Sequence, residues 1–546
     1  MKPMTLTQEQ IERFYHLGRW QDHRLTDYLD RHAQSTPDRV ALVDRSGQLT
    51  YAELLTRVNS AAQALLDLGI TAGDAVSIQL PNWWQFVVAH LALTRIGAVT
   101  NPCMTIFREW EMEFILGLTE SVAIVVPGVF RKHDHAGMIG RLRDRLPKLR
   151  TVMVAGSEPP AGALSFEAVI DGVLPTAAVT ASRPSPEDIN TLMFTSGTTA
   201  EPKGVLHTHN TNLHGATVMI EALSMTADDV VMMSSPIAHA TGLCYGVRLP
   251  LMLGARMVLQ EQWDVEQACQ LIEREKVTFS MGATPFVHGL VGFEGLARYD
   301  VSSLRHFICA GAPIPRELIR QAEERIPNCK VLAAYGLSES YAHTILRPDA
   351  PPEKFYTSDG SLANGMEGKN VDDAGNECPP GMPGEHCTKG ASLFVGYYKR
   401  PEATAEAIDG EGWFRTGDIC TFDEDGYLRV VGRKKDLIIR GGINISPGEI
   451  EDLLFTHPAV RQVAVIGLPD ERLGERICAY VVPKEAATIT FEDVTSFLRA
   501  QGLAIQKLPE RLEVVEEFPM TPSGKIQKFK LREDVAAKVG GRFVIS

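Results

Sequence analysis

Short apolar runs alternate with helical patterns through most of this 546-residue chain, and this alternation limits the fold more than any other feature. Apolar runs typical of buried strands occur at residues 40–43, 75–79, 229–233, 256–259, 277–281, 306–310 and 330–334. Helical spacing occurs between them, at residues 51–68, 265–275 and 316–325. Strands separated by helices predict an α/β fold of parallel or mixed sheets covered by helices.

The sequence changes character near residue 380, where proline and glycine cluster. β-like runs follow, with a hairpin signal at residues 423–426, Asp-Glu-Asp-Gly. The charged segment 432–436 predicts a boundary, so we divide the chain into domains 1–433, with a β-subdomain, and 434–546. The second is predicted to be a small α+β domain, with strands and a helix at residues 462–466, 477–482 and 491–501. Ser446, Pro447 and Glu449 predict a helix start with a capping box there.

Composition excludes several classes of protein. The net charge of −14 argues against nucleic-acid binding, which needs a basic surface. No signal peptide is found and no apolar run approaches the ~20 residues that span a bilayer. We therefore expect a cytoplasmic monomer or homodimer without a transmembrane segment. The nine scattered cysteines predict reduced, buried thiols rather than disulfides or a zinc site.

Residues 195–204, Thr-Ser-Gly-Thr-Thr-Ala-Glu-Pro-Lys-Gly, lie between two apolar runs. Hydroxyls, backbone N–H groups and the charge of Lys203 would together surround a phosphate. The order differs from the P-loop of nucleoside triphosphatases, because Lys203 precedes the last glycine. A polar surface loop is the alternative, and ten residues in this order argue against it.

This loop resembles the phosphate-binding signature of the adenylate-forming superfamily, which contains acyl-CoA synthetases, peptide-synthetase adenylation domains and luciferases. Ala200 stands where that family usually has glycine. Five further segments resemble the family in the same order, from about residue 35 to 530. The resemblance implies ATP, Mg²⁺ and coenzyme A as substrates and cofactor.

The resemblance also implies a nucleotide site. Tyr335 would pack on adenine, Asp418 and Arg433 would bind the ribose, and Glu339 with Thr199 would hold Mg²⁺ through oxygen atoms. The implied contacts to ATP or AMP are Thr195, Ser196, Gly197, Thr198, Thr199, Gly311, Ala312, Pro313, Tyr335, Gly336, Ser338, Asp418 and Arg433.

Catalytic roles are implied for Lys525, Lys203 and His239. Lys525, in the string Pro-Ser-Gly-Lys, would bridge the acid and the α-phosphate and offset transition-state charge. His239 would lie beside the acyl carboxylate, although a lone histidine is more often structural. Lys435 matches the family's hinge, and the glycines of the coenzyme A tunnel correspond to Gly441 and Gly442.

The acyl pocket is predicted to be apolar. Its predicted lining is Ala240, Cys244, Gly282, Ala283, Thr284, Ala310, Gly336 and Leu337. Gly336 falls where acetate-activating relatives carry tryptophan, which predicts an acid larger than acetate. Residues 101–109 resemble medium-chain fatty-acid and cyclohexanecarboxylate–CoA ligases.

Together these features predict an ATP-dependent acid–CoA ligase that forms an acyl-adenylate and then a thioester. The expected acid is a medium-chain fatty acid or an alicyclic or aromatic ring acid. Two alternatives stay open: an enzyme that loads a separate carrier protein, and an inactive nucleotide-binding regulator. A luciferase-like oxygenase is a remote third.

Overall fold

The structure is a computed structural model that describes residues 6–195, 202–311, 314–470, 472–520 and 526–538. The predicted site residues outside these ranges are Ser196, Gly197, Thr198, Thr199, Ala312, Pro313 and Lys525. Their predicted roles stay predictions.

Two large sheets organise the described N-terminal part of the chain. One has seven strands, in the spatial order Gly204–Thr208, Ile189–Phe194, Val99–Pro102, Ala75–Ile78, Ala123–Pro127, Thr151–Ala155 and Leu164–Ser165. The other has nine described strands, in the order Ser361–Leu362, Tyr341–Ile345, Lys330–Leu337, His306–Ala310, Phe279–Gly282, Val230–Met233, Arg256–Leu259, Val40–Asp44 and Gly47–Thr50. The central strands of both sheets are parallel. Antiparallel strands complete both edges of the nine-stranded sheet and one edge of the seven-stranded sheet, whose other edge strand, Leu164–Ser165, is parallel.

Helices cover these sheets, as the alternating pattern predicts. In the described N-terminal part they are Gln8–His16, Leu25–Ser35, Tyr51–Asp67, Trp84–Ile96, Glu109–Thr119, His135–Leu142, Phe166–Ile170, Ala177–Thr180, His209–Leu223, Ala240–Leu243, Leu249–Leu253, Val265–Glu275, Thr284–Gly292, Arg316–Arg325, Lys354–Thr357 and Pro401–Ala407. Short 3₁₀ turns lie at Arg143–Arg145 and Glu294–Arg298, and a π-helical turn at Cys244–Arg248.

The helix Trp84–Ile96 lies between the two sheets. Every residue in it is buried, including His90 and Arg95. His90 Nδ1 lies 2.9 Å from the Thr100 hydroxyl, and Arg95 forms two 2.6 Å hydrogen bonds with Asp30. This apolar stretch therefore belongs to the core. No helix in the described ranges has both the length and the apolar character that crossing a membrane requires.

A smaller antiparallel sheet follows the two large ones. Its four described strands are Met366–Val371, Gly384–Gly390, Phe414–Phe422 and Leu428–Arg433. The predicted hairpin joins the last two, where the N–H of Gly426 donates to the carbonyl of Asp423 at 3.1 Å. A 3₁₀ turn, Lys434–Asp436, then leads out of this sheet.

The C-terminal part has a sheet and a core of its own. Its described strands are Ile438–Arg440, Ile443–Ile445, Val460–Asp470, Gly474–Pro483 and Arg511–Val514. Its described helices are Pro447–Phe455, Phe491–Ala500 and Lys528–Lys538, with a 3₁₀ turn at Ile505–Lys507. The predicted α/β fold, with mixed sheets and a small α+β unit at the end, is confirmed.

One prediction for the C-terminal unit, the capping box, is wrong. Ser446 precedes the helix and Pro447 begins it, as predicted, but the Ser446 side chain makes no cap hydrogen bond. Its hydroxyl instead donates to the carbonyl of Val431, 2.6 Å away in the preceding sheet. Glu449 binds Lys507 at 2.7 Å, so no capping box forms. Tertiary partners outcompete the local cap at both positions.

The predicted burial of the cysteines is confirmed for eight of the nine. All nine cysteines lie within the described ranges as free thiols, and Cys378 alone among them is not fully buried.

Candidate active site

Three residues predicted to bind adenosine meet at one place. Asp418 and Arg433 face each other on neighbouring antiparallel strands. Arg433 Nε lies 2.7 Å from one carboxylate oxygen of Asp418, and the Tyr335 hydroxyl donates to the other at 2.6 Å. Asp418 is 3% exposed, so its charge is stabilised mainly by such contacts. We call Tyr335, Asp418 and Arg433 the nucleotide cluster.

Two histidines that the sequence analysis did not identify pack next to this cluster. The ring of His343 lies 4.7 Å from that of Tyr335, and the rings of His343 and His386 stack 5.2 Å apart. Burial lowers the pKa of His343 to about 3 and holds that of His386 well below its usual range. Both rings are therefore neutral near pH 7 and place polar but uncharged groups beside the nucleotide cluster. Burial, with help from Asp418, raises the pKa of Tyr335, which keeps its hydroxyl a donor.

Glu339 lies next to this cluster and is also buried. The hydroxyl of Tyr397 donates to its carboxylate at 2.9 Å, and Lys203 Nζ lies 4.7 Å from the centre of the Tyr397 ring. Burial raises the pKa of Glu339, while Tyr397 and the charges of Arg433 and Lys203 oppose that shift. The phosphate-loop lysine, the nucleotide cluster and the predicted metal ligand thus share one site.

The residues present fit a magnesium ion. Mg²⁺ prefers oxygen ligands and is usually held by one or two carboxylates together with substrate phosphates and water. Glu339 is such a carboxylate, and its raised pKa shows that its charge would gain from a nearby cation. The described ranges hold no group of three acidic, histidine or cysteine residues that could hold a metal ion.

The two ends of the phosphate loop are closed by the backbone. Thr195 follows the strand Ile189–Phe194, and its N–H donates to the carbonyl of Lys203 at 3.0 Å. Gly204 must be small, because a Cβ there would lie 2.7 Å from the Leu192 side chain. The loop between these ends, residues 196–201, lies outside the described residues.

The predicted acyl-pocket residues lie at the carboxyl ends of parallel strands, an edge where α/β sheets commonly bind ligands. His239 precedes the helix Ala240–Leu243, and its Nδ1 accepts from the N–H of Thr241 at 3.4 Å. Other members of the set end or follow neighbouring strands; these are Gly282, Ala283, Thr284, Ala310, Gly336 and Leu337. Gly311, predicted to contact the nucleotide, directly follows Ala310. Cys244 begins the π-helical turn, and the Thr284 hydroxyl lies 3.6 Å from the Cys309 sulfur.

At two of these glycines the space left by the missing side chain is filled by protein atoms. A Cβ on Gly282 would lie 2.1 Å from the ring of Phe286. A Cβ on Gly336 would lie 1.9 Å from the carbonyl oxygen of Tyr341. Gly336 is therefore required by close backbone packing, and Phe286 joins the residues that shape this region.

The predicted coenzyme A and hinge residues follow the nucleotide cluster in the chain. Gly441 and Gly442 form the turn of the hairpin between Ile438–Arg440 and Ile443–Ile445, with φ of 59° and 83°. Such a two-residue turn needs positive φ at both positions, which glycine adopts without strain. Lys435 lies in the 3₁₀ turn two residues after Arg433, and burial lowers its pKa.

Two family models match the chain. The model for AMP-binding enzymes matches residues 29–398, and the model for the C-terminal domain of AMP-binding enzymes matches residues 449–525. The chain belongs to the AMP-binding enzyme family. The chain is an AMP-forming acid–CoA ligase by its family and its relatives.

Relatives in the family align over almost the whole chain. The medium-chain fatty-acid–CoA ligase of Escherichia coli K12 is 38% identical over 540 residues, 98% of this chain and 94% of that protein. A salicylyl-CoA synthase/salicylate adenylyltransferase from a Streptomyces species is 33% identical over 537 residues, 97% of each chain. The anthranilate CoA ligase AuaEII, solved with anthranoyl-AMP, has a TM-score of 0.87 at 27% identity, covering 95% of this chain and 98% of that one.

Proposed function

We propose that this enzyme activates a medium-chain fatty acid or a ring carboxylic acid as its acyl-adenylate and transfers the acyl group to coenzyme A. The observation that carries the proposal is the convergence of Lys203, Glu339 and the nucleotide cluster on one site. Lys203 offers a cation for phosphate, Glu339 offers a carboxylate for a metal ion, and Asp418 can accept hydrogen bonds from ribose hydroxyls. This combination suits a nucleoside triphosphate.

In the first step the acid's carboxylate oxygen attacks the α-phosphorus of ATP, and pyrophosphate leaves. The carboxylate is already ionised near pH 7, so the step needs no general base. Asp418 would orient the ribose, and Lys203 with Lys525 would neutralise charge on the phosphates. Glu339 and Thr199 would hold Mg²⁺, which would supply further positive charge to the phosphates.

In the second step the thiol of coenzyme A attacks the mixed anhydride and AMP leaves. We propose that the C-terminal unit rotates at Lys435 between the steps, so that the hairpin with Gly441 and Gly442 replaces Lys525 at the site. Lys435 supports this role by its position, in the turn between two sheets with separate cores.

The choice of acid follows from the relatives and from the predicted pocket. The Escherichia coli relative is named for medium-chain fatty acids, and the Streptomyces relative for an aromatic acid. Ala240 and Cys244 are buried small residues that offer no charge to a substrate. We therefore propose an apolar acid, with the cytoplasm as the place of reaction.

The experiment supplies the purified enzyme with ATP, Mg²⁺, coenzyme A and one acid at a time, and measures AMP and acyl-CoA by mass spectrometry. The acids are acetate, octanoate, cyclohexanecarboxylate, benzoate and dihydroxybenzoate. We expect thioester from octanoate or a ring acid and little from acetate.

Other outcomes contradict parts of the proposal. If the enzyme forms adenylate but no thioester with coenzyme A, and a phosphopantetheinylated carrier protein restores thioester formation, then the carrier protein is the acceptor in place of coenzyme A. Absence of acid-dependent pyrophosphate release with every acid would favour the inactive regulator.

A further inference from the structure

The turn that carries Ser338 and Glu339 ends in an unusual backbone conformation. Tyr341 adopts a φ of +54°, a region that bulky side chains rarely enter. Such a conformation costs on the order of 1–3 kcal/mol and persists only where the surroundings impose it. Residues 338–341 are called the Glu339 turn below.

Two glycines make room for Tyr341. A Cβ on Gly336 would lie 1.9 Å from the Tyr341 carbonyl oxygen, and a Cβ on Gly215 would lie 2.4 Å from its ring. The ring also packs against His207, with centroids 4.6 Å apart. Backbone and side chain of Tyr341 are therefore enclosed on both sides.

The hydroxyl of Tyr341 is held at both of its hydrogen-bonding positions. Arg248 Nη1 donates to it at 2.8 Å, and it donates to Asn212 Oδ1 at 2.6 Å. Arg248 is 1% exposed, and its Nε and Nη2 have no hydrogen-bond partner in the described part of the chain. Because a buried charge destabilises a fold unless it is paired, the hydrogen bond between Arg248 and Tyr341 constrains both residues.

Separate elements hold the backbone of the Glu339 turn. The contacts are His207 Nε2 to the Ser338 carbonyl at 2.8 Å, Phe394 N–H to the Glu339 carbonyl at 2.7 Å, Ser392 hydroxyl to the Ser340 carbonyl at 2.8 Å, and Ala342 N–H to the Tyr245 hydroxyl at 2.8 Å. Three successive carbonyls are thus fixed by two different parts of the chain, the strand of His207 and the segment that holds Ser392 and Phe394. Tyr341 is the one residue of the turn whose side chain is fixed by a buried cation.

We propose that Tyr341 and Arg248 are positioning residues that hold Glu339 and Ser338 in the orientation that binds the metal–nucleotide complex. The inference rests on the proposed function of the Glu339 site. It adds that the strained residue Tyr341 fixes the orientation of Glu339. Arg248, the last residue of the π-helical turn Cys244–Arg248, in turn holds Tyr341.

The test is Tyr341→Phe, which removes only the hydroxyl. The direct readout is binding of Mn²⁺ in the presence of ATP, measured by electron paramagnetic resonance without any acid. We expect Mn²⁺ to bind about 10-fold more weakly, as loss of one buried hydrogen bond to a charged group would cause. In turnover, KM for Mg·ATP should rise while KM for the acid stays within about two-fold.

The matched control is Tyr51→Phe. Tyr51 is equally buried, and its hydroxyl donates to the carbonyl of Ala255 at 2.8 Å, away from the Glu339 turn. This variant should lose similar thermal stability and keep wild-type binding of Mn²⁺ with ATP. Arg248→Lys, which keeps the charge and shortens the donor, should fall between Tyr341→Phe and wild type.

The outcomes separate the two proposals. Tyr341→Phe with wild-type Mn²⁺ binding, and a melting temperature lowered like that of Tyr51→Phe, would reduce Tyr341 to a structural residue. A wild-type enzyme that binds Mn²⁺ with ATP but activates no acid would remove the proposed function and leave this inference standing on its binding data. A wild-type enzyme that binds no Mn²⁺ with ATP would overturn both.

Discussion

The predicted nucleotide side and the predicted acyl side of the candidate site are built by different means. On the nucleotide side, Asp418, Glu339 and Tyr335 are each fixed by named hydrogen bonds or ion pairs. On the acyl side, Ala240 and Cys244 are buried among apolar side chains of the main core. Hydrogen bonds demand particular residue types, whereas packing demands only volume and shape. The sequence therefore predicts the nucleotide more precisely than it predicts the acid.

The largest expected effect is on the nucleotide side. Asp418→Ala removes the partner of both Arg433 and the Tyr335 hydroxyl. Hydrogen bonds to charged groups contribute about 1.5–3 kcal/mol, so kcat/KM for ATP should fall about 100-fold or more. Steady-state kinetics with ATP and the acid varied separately check this.

Asp30→Ala is the control for that change. Asp30 also binds an arginine, Arg95, through two 2.6 Å contacts, but it belongs to a helix of the core. It should lower stability and leave KM for ATP unchanged. Equal losses in the two variants would mean that Asp418 acts only through folding.

A second effect is the pH dependence that the buried His343 gives to stability. The pKa of His343 is lowered to about 3 by burial, so the unfolded chain takes up this proton first as pH falls. Its contribution to stability is therefore complete above pH about 6.5 and is lost progressively between about 6.5 and 3. At pH 5 the loss should be about 2 kcal/mol, and His343→Asn should lack it.

Urea denaturation at pH 8 and pH 5 measures this difference. His16→Asn, at an exposed position in the first helix, should keep the wild-type loss of stability. If His343→Asn loses as much stability on acidification as the wild type, other groups account for the acid sensitivity of the nucleotide side.

The smallest effect is expected on the acyl side. Phe286→Leu shortens the ring that fills the space beside Gly282. The ratio of kcat/KM for dodecanoate to that for octanoate should rise about 10-fold, the usual range for small changes in an apolar pocket. KM for ATP should stay within about two-fold.

Phe307→Leu makes the same change on a neighbouring strand, at a fully buried position. Its ratio between the two acids should stay at the wild-type value. A shift of equal size in both variants would mean that general loosening of the core, rather than Phe286, changes the choice of acid.

The helices and strands that the sequence predicted are present in the fold, and many further elements were not predicted. The helices Val265–Glu275 and Arg316–Arg325 have the predicted bounds, because their apolar spacing is unambiguous. The strand predicted at residues 330–334 continues to Leu337, since the motif that follows it pairs with Tyr341–Ile345. Motif order placed Tyr335, Asp418 and Arg433 together, and the structure shows them in contact.

The supporting residues were not predictable in the same way. Tyr397 lies 58 positions from Glu339, and Arg248 lies 93 positions from Tyr341. No local pattern links such pairs, because the fold alone brings them together. The failed cap at Ser446 has the same origin, since its partner Val431 belongs to another sheet.

That hydrogen bond has a consequence for the proposed rotation at Lys435. While the two units are docked, Ser446 gives its hydroxyl to Val431, and the first helix of the C-terminal unit lacks a side-chain cap. If the units separated, the hydroxyl would become available to the N–H groups of its own helix, a bond that contributes about 1 kcal/mol. Ser446 would thus exchange one partner for another, and undocking would recover at this residue much of the free energy that it gives up.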